Sequence, residues 1–309
     1  MADYIESRGF QVYRILAEAP IDFANVSSDA EFTKQIITSF LNPPDWFIVD
    51  HYGIDEKWES VIKPIVGRML IIDDLADRPH IGDMLLDQNI SDITKKRYAG
   101  LVPEKCIQLL GPKYLLLKPS FYESRRKLRK RNGKVNRILV FFGGSDPTNE
   151  TAKVLDALYG IDLNFMRVDI IIGQINTNRF ELEQSCIKMP NVKLHVQVEN
   201  MDDFISQADF ALGSGGVAMW ERCYLGLPSA VTIVADNQRD GVRFAESSGC
   251  IWNMGWHEQI NSGHYADILS NALAIPEDLL KLGLNGLTLM ESQPEAAYNR
   301  VLEALLEEI

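Results

Sequence analysis

Two glycine-rich turns carry the clearest chemical potential in this sequence. The first is Gly213-Ser214-Gly215-Gly216, between an apolar strand expected at residues 209–212 and a helix expected at 217–225. The second is Gly143-Gly144-Ser145-Asp146-Pro147, between a strand at 137–142 and a helix at 149–158. A helix opening on such a turn leaves unpaired backbone N–H groups at its positive end, which suits phosphate. Packing alone also produces glycine-rich strand-to-helix turns, so each turn by itself supports either reading. Glu221 sits inside the helix after the first turn, where a carboxylate can reach a ribose diol. Asn176, just past a strand at 167–172, either donates to a nucleotide or shapes a turn. Neither turn has the G-x-G-x-x-G spacing or the Gly-Lys-Ser/Thr of a P-loop, so NAD and ATP are poor candidates.

Two polar clusters lie in the first half of the chain. Asp50-His51-Tyr52 closes a strand at 46–49, and Asp73-Asp74, with Arg78 and His80, follows a strand at 68–72. Open parallel sheets place ligands at strand carboxyl ends, so both clusters fall on the functional edge. Any one of these residues more simply caps a helix or binds loop amides. The coincidence of two clusters favours function.

The elements that must position these residues alternate between strand and helix, which means parallel sheets with right-handed crossovers. The expected class is α/β, with two doubly wound, Rossmann-like domains and an interdomain cleft. Residues 1–122 form the N-terminal domain, 123–136 a basic linker, 137–290 the C-terminal domain and 291–309 a C-terminal helix. The N-terminal domain reads as a helix to Ser7, a strand at 11–16, helices at 28–40 and 54–65, and short strands ending with 84–86. The apolar run 114–121 reads as its last strand. This order starts in the middle of an α/β unit, so the first strand and loop of the N-terminal domain are expected to be absent.

The chain has 309 residues, 46% hydrophobic and 24% charged, which is ordinary for a globular protein. A formal net charge of −12 argues against nucleic acid. The one basic run, from Arg125 to Lys134, reads as a solvated linker. Cys106, Cys186, Cys223 and Cys250 show no metal-ligand or disulfide spacing, which fits a reducing cytoplasm. No signal peptide or membrane span is evident, so the expectation is a cytoplasmic monomer with no membrane partner.

The ordered series DWFIVDHYGIDEKWE, LIIDDLADRPH, DMLLDQN, YLLLKPSF, ILVFFGGSDPTNET and GSGGVAMWERCYLGLPS, then ADNQ, resembles a known family. The family is that of the UDP-sugar hydrolases of pseudaminic acid biosynthesis, which serve flagellin glycosylation and cell-surface polysaccharides. They are similar in fold to GT-B glycosyltransferases, in particular the peptidoglycan N-acetylglucosaminyl transferase. The likeness runs in order from about residue 2 to 249. Each motif is modest, and their ordered set is specific. The resemblance implies GT-B architecture and hydrolysis of UDP-2,4-diacetamido-2,4,6-trideoxy-β-L-altropyranose to UDP and the free sugar, without metal or cofactor. It implies a phosphate-facing loop of Gly143, Gly144, Ser145 and Asp146, and a second anion loop of Ser214, Gly215 and Gly216. Glu221 would hold the ribose and Asn176 would lie near the nucleotide. Asn237 and Gln238 would face sugar and phosphates, and Asp50, His51 and Tyr52 would lie near the sugar. One departure is clear: the family's G-x-G-H-x-x-R loop, whose His is the catalytic base, has no counterpart in these residues. His51 is the in-sequence candidate to replace that base. The alternatives are a GT-B UDP-sugar glycosyltransferase and a catalytically impaired UDP-sugar-binding protein.

Overall fold

The computed structural model describes residues 2–15, 26–89, 96–163, 165–290 and 300–307. The chain divides into two compact units. The first comprises Met1–Asp87, Ile93–Leu110 and Ala304–Ile309, and the second Gln88–Asp92 and Gly111–Glu303.

The first unit contains helices α1 (Ala2–Ser7), α2 (Val26–Thr38) and α3 (Glu56–Ile62). Its strands are β1 (Trp46–Asp50), β2 (Arg68–Ile72), β3 (Met84–Asp87) and β4 (Ile107–Leu110). They form one parallel sheet in the order β1-β2-β3-β4. Every residue of β3 is buried, as expected of a strand covered on both faces. Asp55 starts α3 by accepting from the amides of Lys57 and Trp58. Trp58 of that helix then donates its indole N–H to Asp29 of α2 at 2.7 Å, which satisfies a buried carboxylate.

Two elements differ from the sequence reading. Residues 11–15 form no strand; Leu16 lies outside the described residues. Of these residues only Val12 and Ile15 are half-buried, and Arg14 folds back onto Asp3 and Glu6 of α1. The apolar run 114–121 is not a strand either. Proline at position 119 lacks the N–H a ladder needs and is preset for the first turn of a helix, so it opens α4 (Pro119–Arg126). The strand that completes the first sheet is the earlier, shorter β4.

The second unit continues with β5 (Arg137–Phe141), α5 (Glu150–Leu158), β6 (Arg167–Ile172), α6 (Arg179–Ile187) and β7 (Val192–Val196). Then follow α7 (Met201–Gln207), β8 (Phe210–Ser214), α8 (Val217–Tyr224), β9 (Ser229–Ile233), α9 (Arg239–Ser247) and β10 (Trp252–Trp256). Helices α10 (Ser262–Ala274) and α11 (Pro276–Leu289) follow, and α12 (Arg300–Glu307) is divided between the two units at Ala304. The six strands are all parallel, in the order β10-β9-β8-β5-β6-β7. This is the doubly wound order, in which the direction of winding reverses between β5 and β8. Alternate residues of β5 feed the two cores: Ile138 and Val140 pack on one face, Leu139 and Phe141 on the other.

The basic run is not a solvated linker. Arg131 donates to the carbonyls of Ile205, Ala208, Leu225 and Gly226. Arg129 reaches those of Ser206, Gln207 and Ala208, and Arg125 those of Tyr224 and Leu287. These carbonyls lie at the carboxyl ends of α7, α8 and α11, where the helix dipole is negative and the last C=O groups lack partners. Crossovers in one direction gather those ends at the amino edge of the sheet, and the arginines satisfy them there. Burial pushes the Arg131 guanidinium down to about 10.

Candidate functional site

The switch point of the second sheet is where doubly wound folds bind ligands. Strands β5 and β8 are direct neighbours, with Phe141 opposite Gly213, so both glycine-rich turns emerge side by side at their carboxyl ends. Each turn depends on missing side chains. A Cβ on Gly213 would lie 2.5 Å from the Phe141 carbonyl oxygen and 2.8 Å from the Arg222 guanidinium. Gly216 has φ 73° at the start of α8, and Gly143 has φ 101°; a Cβ on either would meet open space. Conformation and access, rather than packing, therefore require glycine at these two positions.

Arg222, which sequence reasoning missed, braces the β8 turn from beneath. It is 2% exposed and donates to the Ser214 carbonyl at 2.7 Å. Burial lowers its guanidinium to about 10. The only hint in the sequence is a charged residue on the apolar face of α8. On the neighbouring side, the β5 and β6 turns touch through their backbones: the Gly173 amide donates to the Gly144 carbonyl at 2.8 Å.

The structure brings most of the expected second-unit residues to this edge. Ser214 is buried and Ser145 exposed at the two turn openings. Asn176 is buried; its carbonyl oxygen accepts from the Asn178 amide, while its Nδ2 has no hydrogen-bond partner among the described residues. A buried donor without a partner is costly and points to a missing acceptor. Asn237 and Gln238 lie in the turn after β9, and Gln238 holds the Val234 amide through its side-chain oxygen. Asp146 behaves differently. It is 1% exposed, and its two oxygens take the amides of Glu150 and Thr151. The carboxylate caps α5, with both oxygens turned to its first amides.

Glu221 is half-buried on α8. Burial raises its carboxyl to about 7, against the opposing pull of Arg222 and Lys118.

In the first unit, Asp50 ends β1 and His51 and Tyr52 follow it, all three exposed, and Asp73 and Asp74 follow β2. The Asp50 carboxyl is raised by burial and then by the Asp74 charge, with His51 opposing. The Tyr52 phenol is pushed up to about 12, first by burial and then by Asp74, to which it hydrogen-bonds. The His51 Nδ1 accepts the Gly53 amide at 3.0 Å. A ring accepting at Nδ1 carries its proton on Nε2, so that second nitrogen donates and does not accept.

Behind this edge, Arg78 and His80 hold the scaffold. Arg78 donates to the carbonyls of Ile54 and His51 and pairs with Asp73 at 3.0 Å. His80 Nδ1 meets Glu59 at 2.5 Å, with both side chains buried, and the Tyr98 hydroxyl donates between Asp73 and Asp87. Sequence reasoning placed Arg78 and His80 with the functional cluster; their contacts instead hold the loops that carry it. Among the described residues no group of His, Cys, Asp and Glu is arranged to hold a metal. No helix among them is long and apolar enough to cross a membrane.

No protein-family model matches the chain. It is 28% identical over 203 residues to an uncharacterized protein of Methanocaldococcus jannaschii, covering 64% of this chain and 42% of that one. It is 25% identical over 199 residues to the spore coat polysaccharide biosynthesis protein SpsG of Bacillus subtilis, covering 64% and 58%. It is 24% identical over 205 residues to the UDP-2,4-diacetamido-2,4,6-trideoxy-β-L-altropyranose hydrolase of Campylobacter jejuni, covering 66% and 68%. The chain thus spans about half the length of the first two of these relatives. Among solved structures, a putative UDP-N-acetylglucosamine 2-epimerase of Listeria monocytogenes is similar with TM-score 0.61 at 10% identity, covering 99% of this chain and 87% of that one. MurG of Acinetobacter baumannii is similar with TM-score 0.59 at 13% identity, covering 99% and 87%. At these identities the likeness concerns the fold: two parallel-sheet α/β domains, as in GT-B glycosyltransferase-like proteins.

Proposed function

We propose that this chain is a UDP-sugar hydrolase. The observation that carries the reading is the pair of open glycine turns at the switch point of the second sheet, with the Asn176 Nδ2, which has no hydrogen-bond partner among the described residues, in the turn after β6. Backbone amides of the turns after β5 and β8 hold the diphosphate, and Glu221 accepts from the ribose hydroxyls. Water attacks the anomeric carbon and loses its proton to a base; the bond from that carbon to the β-phosphate oxygen breaks, and UDP leaves on the oriented amides. Asp50 is the base we assign, because its carboxyl is raised and exposed while His51 presents an N–H. Tyr52, whose O–H is given to Asp74, offers its phenol oxygen as an acceptor to a sugar hydroxyl. The relative from Campylobacter jejuni supports a 2,4-diacetamido-2,4,6-trideoxyhexose as the sugar.

The test has two arms. Calorimetry with UDP reads the nucleotide site alone, and incubation with UDP-2,4-diacetamido-2,4,6-trideoxy-β-L-altropyranose reads release of UDP and free sugar. Failure to bind UDP overturns the whole reading. Binding without turnover leaves a UDP-sugar-binding protein. Turnover that yields free sugar only when an acceptor is withheld makes the chain a glycosyltransferase.

A further inference from the structure

The edge of the second sheet opposite the glycine turns holds a separate cavity of about 420 Å³, between residues 128–134 and helix α11. Small-molecule pockets span about 300–1,000 Å³, so this one is of ligand size. Leu128, Leu280, Leu284 and Leu287 supply its apolar wall. Leu280 and Leu284, one helical turn apart, are 42% and 63% exposed.

The fold keeps this cavity from collapsing. Helix α11 is seated on the end of α8 through two glycines: a Cβ on Gly283 would lie 2.8 Å from the Gly226 carbonyl, and one on Gly286 3.1 Å from that of Cys223. On the other wall, Gly133 has φ 79°, and a Cβ there would lie 2.3 Å from the Pro276 carbonyl. That contact pins the basic segment to the start of α11.

Charge is divided sharply along the rim. Arg129 and Arg131 are committed to helix carbonyls, and Arg129 also to Asp209. Lys130 and Lys134 are exposed, line the cavity and form no ion pair among the described residues. In a chain of net charge −12, two exposed lysines beside a concave leucine wall form a local feature of opposite charge.

We propose that this cavity binds a single-chain amphiphile with an anionic head. The hydrocarbon lies along Leu280, Leu284 and Leu287, and the head meets Lys130 and Lys134. The concave wall suits one chain better than the plane of a bilayer. This site is independent of the nucleotide reading, since it lies on the opposite edge of the sheet.

The probe is dodecyl phosphate, titrated below its micellar concentration into the full chain by calorimetry. Expected is saturable binding of one molecule per chain, weakened about tenfold by the double change Lys130→Glu with Lys134→Glu and by raised salt. Leu284→Asp, on the exposed face of α11, is expected to abolish it. Both variants are expected to keep the wild-type melting temperature and UDP affinity, which reports that they fold. Dodecyl maltoside and inorganic phosphate are expected not to bind. Equal binding of dodecyl maltoside, unchanged affinity in both variants, or binding only to anionic vesicles with no saturable uptake of the monomer would each overturn the proposal.

Discussion

Glu221 offers the sharpest quantitative test, because its carboxyl titrates where most experiments are done. Burial moves it from 4.5 to about 7. A carboxylate accepting from a ribose diol must be ionised, so binding draws only on the ionised fraction. With a pKa of about 7 that fraction falls from about nine-tenths at pH 8 to about one-tenth at pH 6, and apparent UDP affinity falls about tenfold. Glu221→Gln keeps the shape and one acceptor oxygen while removing the titration. UDP has phosphate protonation of its own, which is common to both proteins, so the informative quantity is the ratio of their affinities. Calorimetry across pH 6 to 8 in one buffer series measures it. Stability moves the other way. A raised folded pKa means the unfolded chain ionises first, so wild type loses stability relative to the variant as pH rises from 4.5 through about 7. The difference is on the order of 2 kcal/mol, below the full value for the shift because the group is only half-buried. Equal pH dependence of UDP affinity in the two proteins would refute the placement of Glu221 at the ribose.

Four further outcomes follow from other residues. Arg222→Met removes the donor under the Ser214 carbonyl, and is expected to cost about 1–3 kcal/mol in urea denaturation and to weaken UDP binding. Asp50→Asn is expected to lower turnover by about 10²–10⁴ with little change in UDP affinity. His51→Gln should alter turnover by only a few-fold, and the opposite ranking in a UDP-release assay would return the base to His51. Glu59→Gln weakens the buried pair with His80, and is expected to lower stability by about 3 kcal/mol in chemical denaturation, with UDP affinity unchanged because the pair lies in the other unit.

The glycine turns were legible because their chemistry is local: a strand, a run of glycines and a helix start are contiguous in the chain. Their adjacency was not, since β5 and β8 are separated by two intervening strands and the switch point exists only once the sheet order is known. Asp146 shows the same limit at smaller scale. In GGSDP it reads as part of an anion loop, yet a positive φ of 41° turns its carboxylate onto the next helix. The run 114–121 misled because apolar content was weighed above the proline at position 119. The arginines of residues 125–131 misled because their partners are carbonyls far along the chain, and a carbonyl leaves no mark in a sequence. Glu59 escaped notice for a related reason: its partner His80 is 21 residues away, joined only through the fold.

The guanidinium beneath the β8 turn has a consequence for how a ligand is received. A glycine loop is ordinarily the segment with the most freedom to lose, and ordering it on contact subtracts from affinity. Here Arg222 fixes the Ser214 carbonyl from below, while the Gly173 amide fixes that of Gly144 in the neighbouring turn. The receiving amides are therefore already oriented before anything arrives. Association should be quick, with a small entropic penalty, and amide hydrogen exchange at Gly173 should be slow even without ligand. The loop gains access from its glycines and stillness from its neighbours.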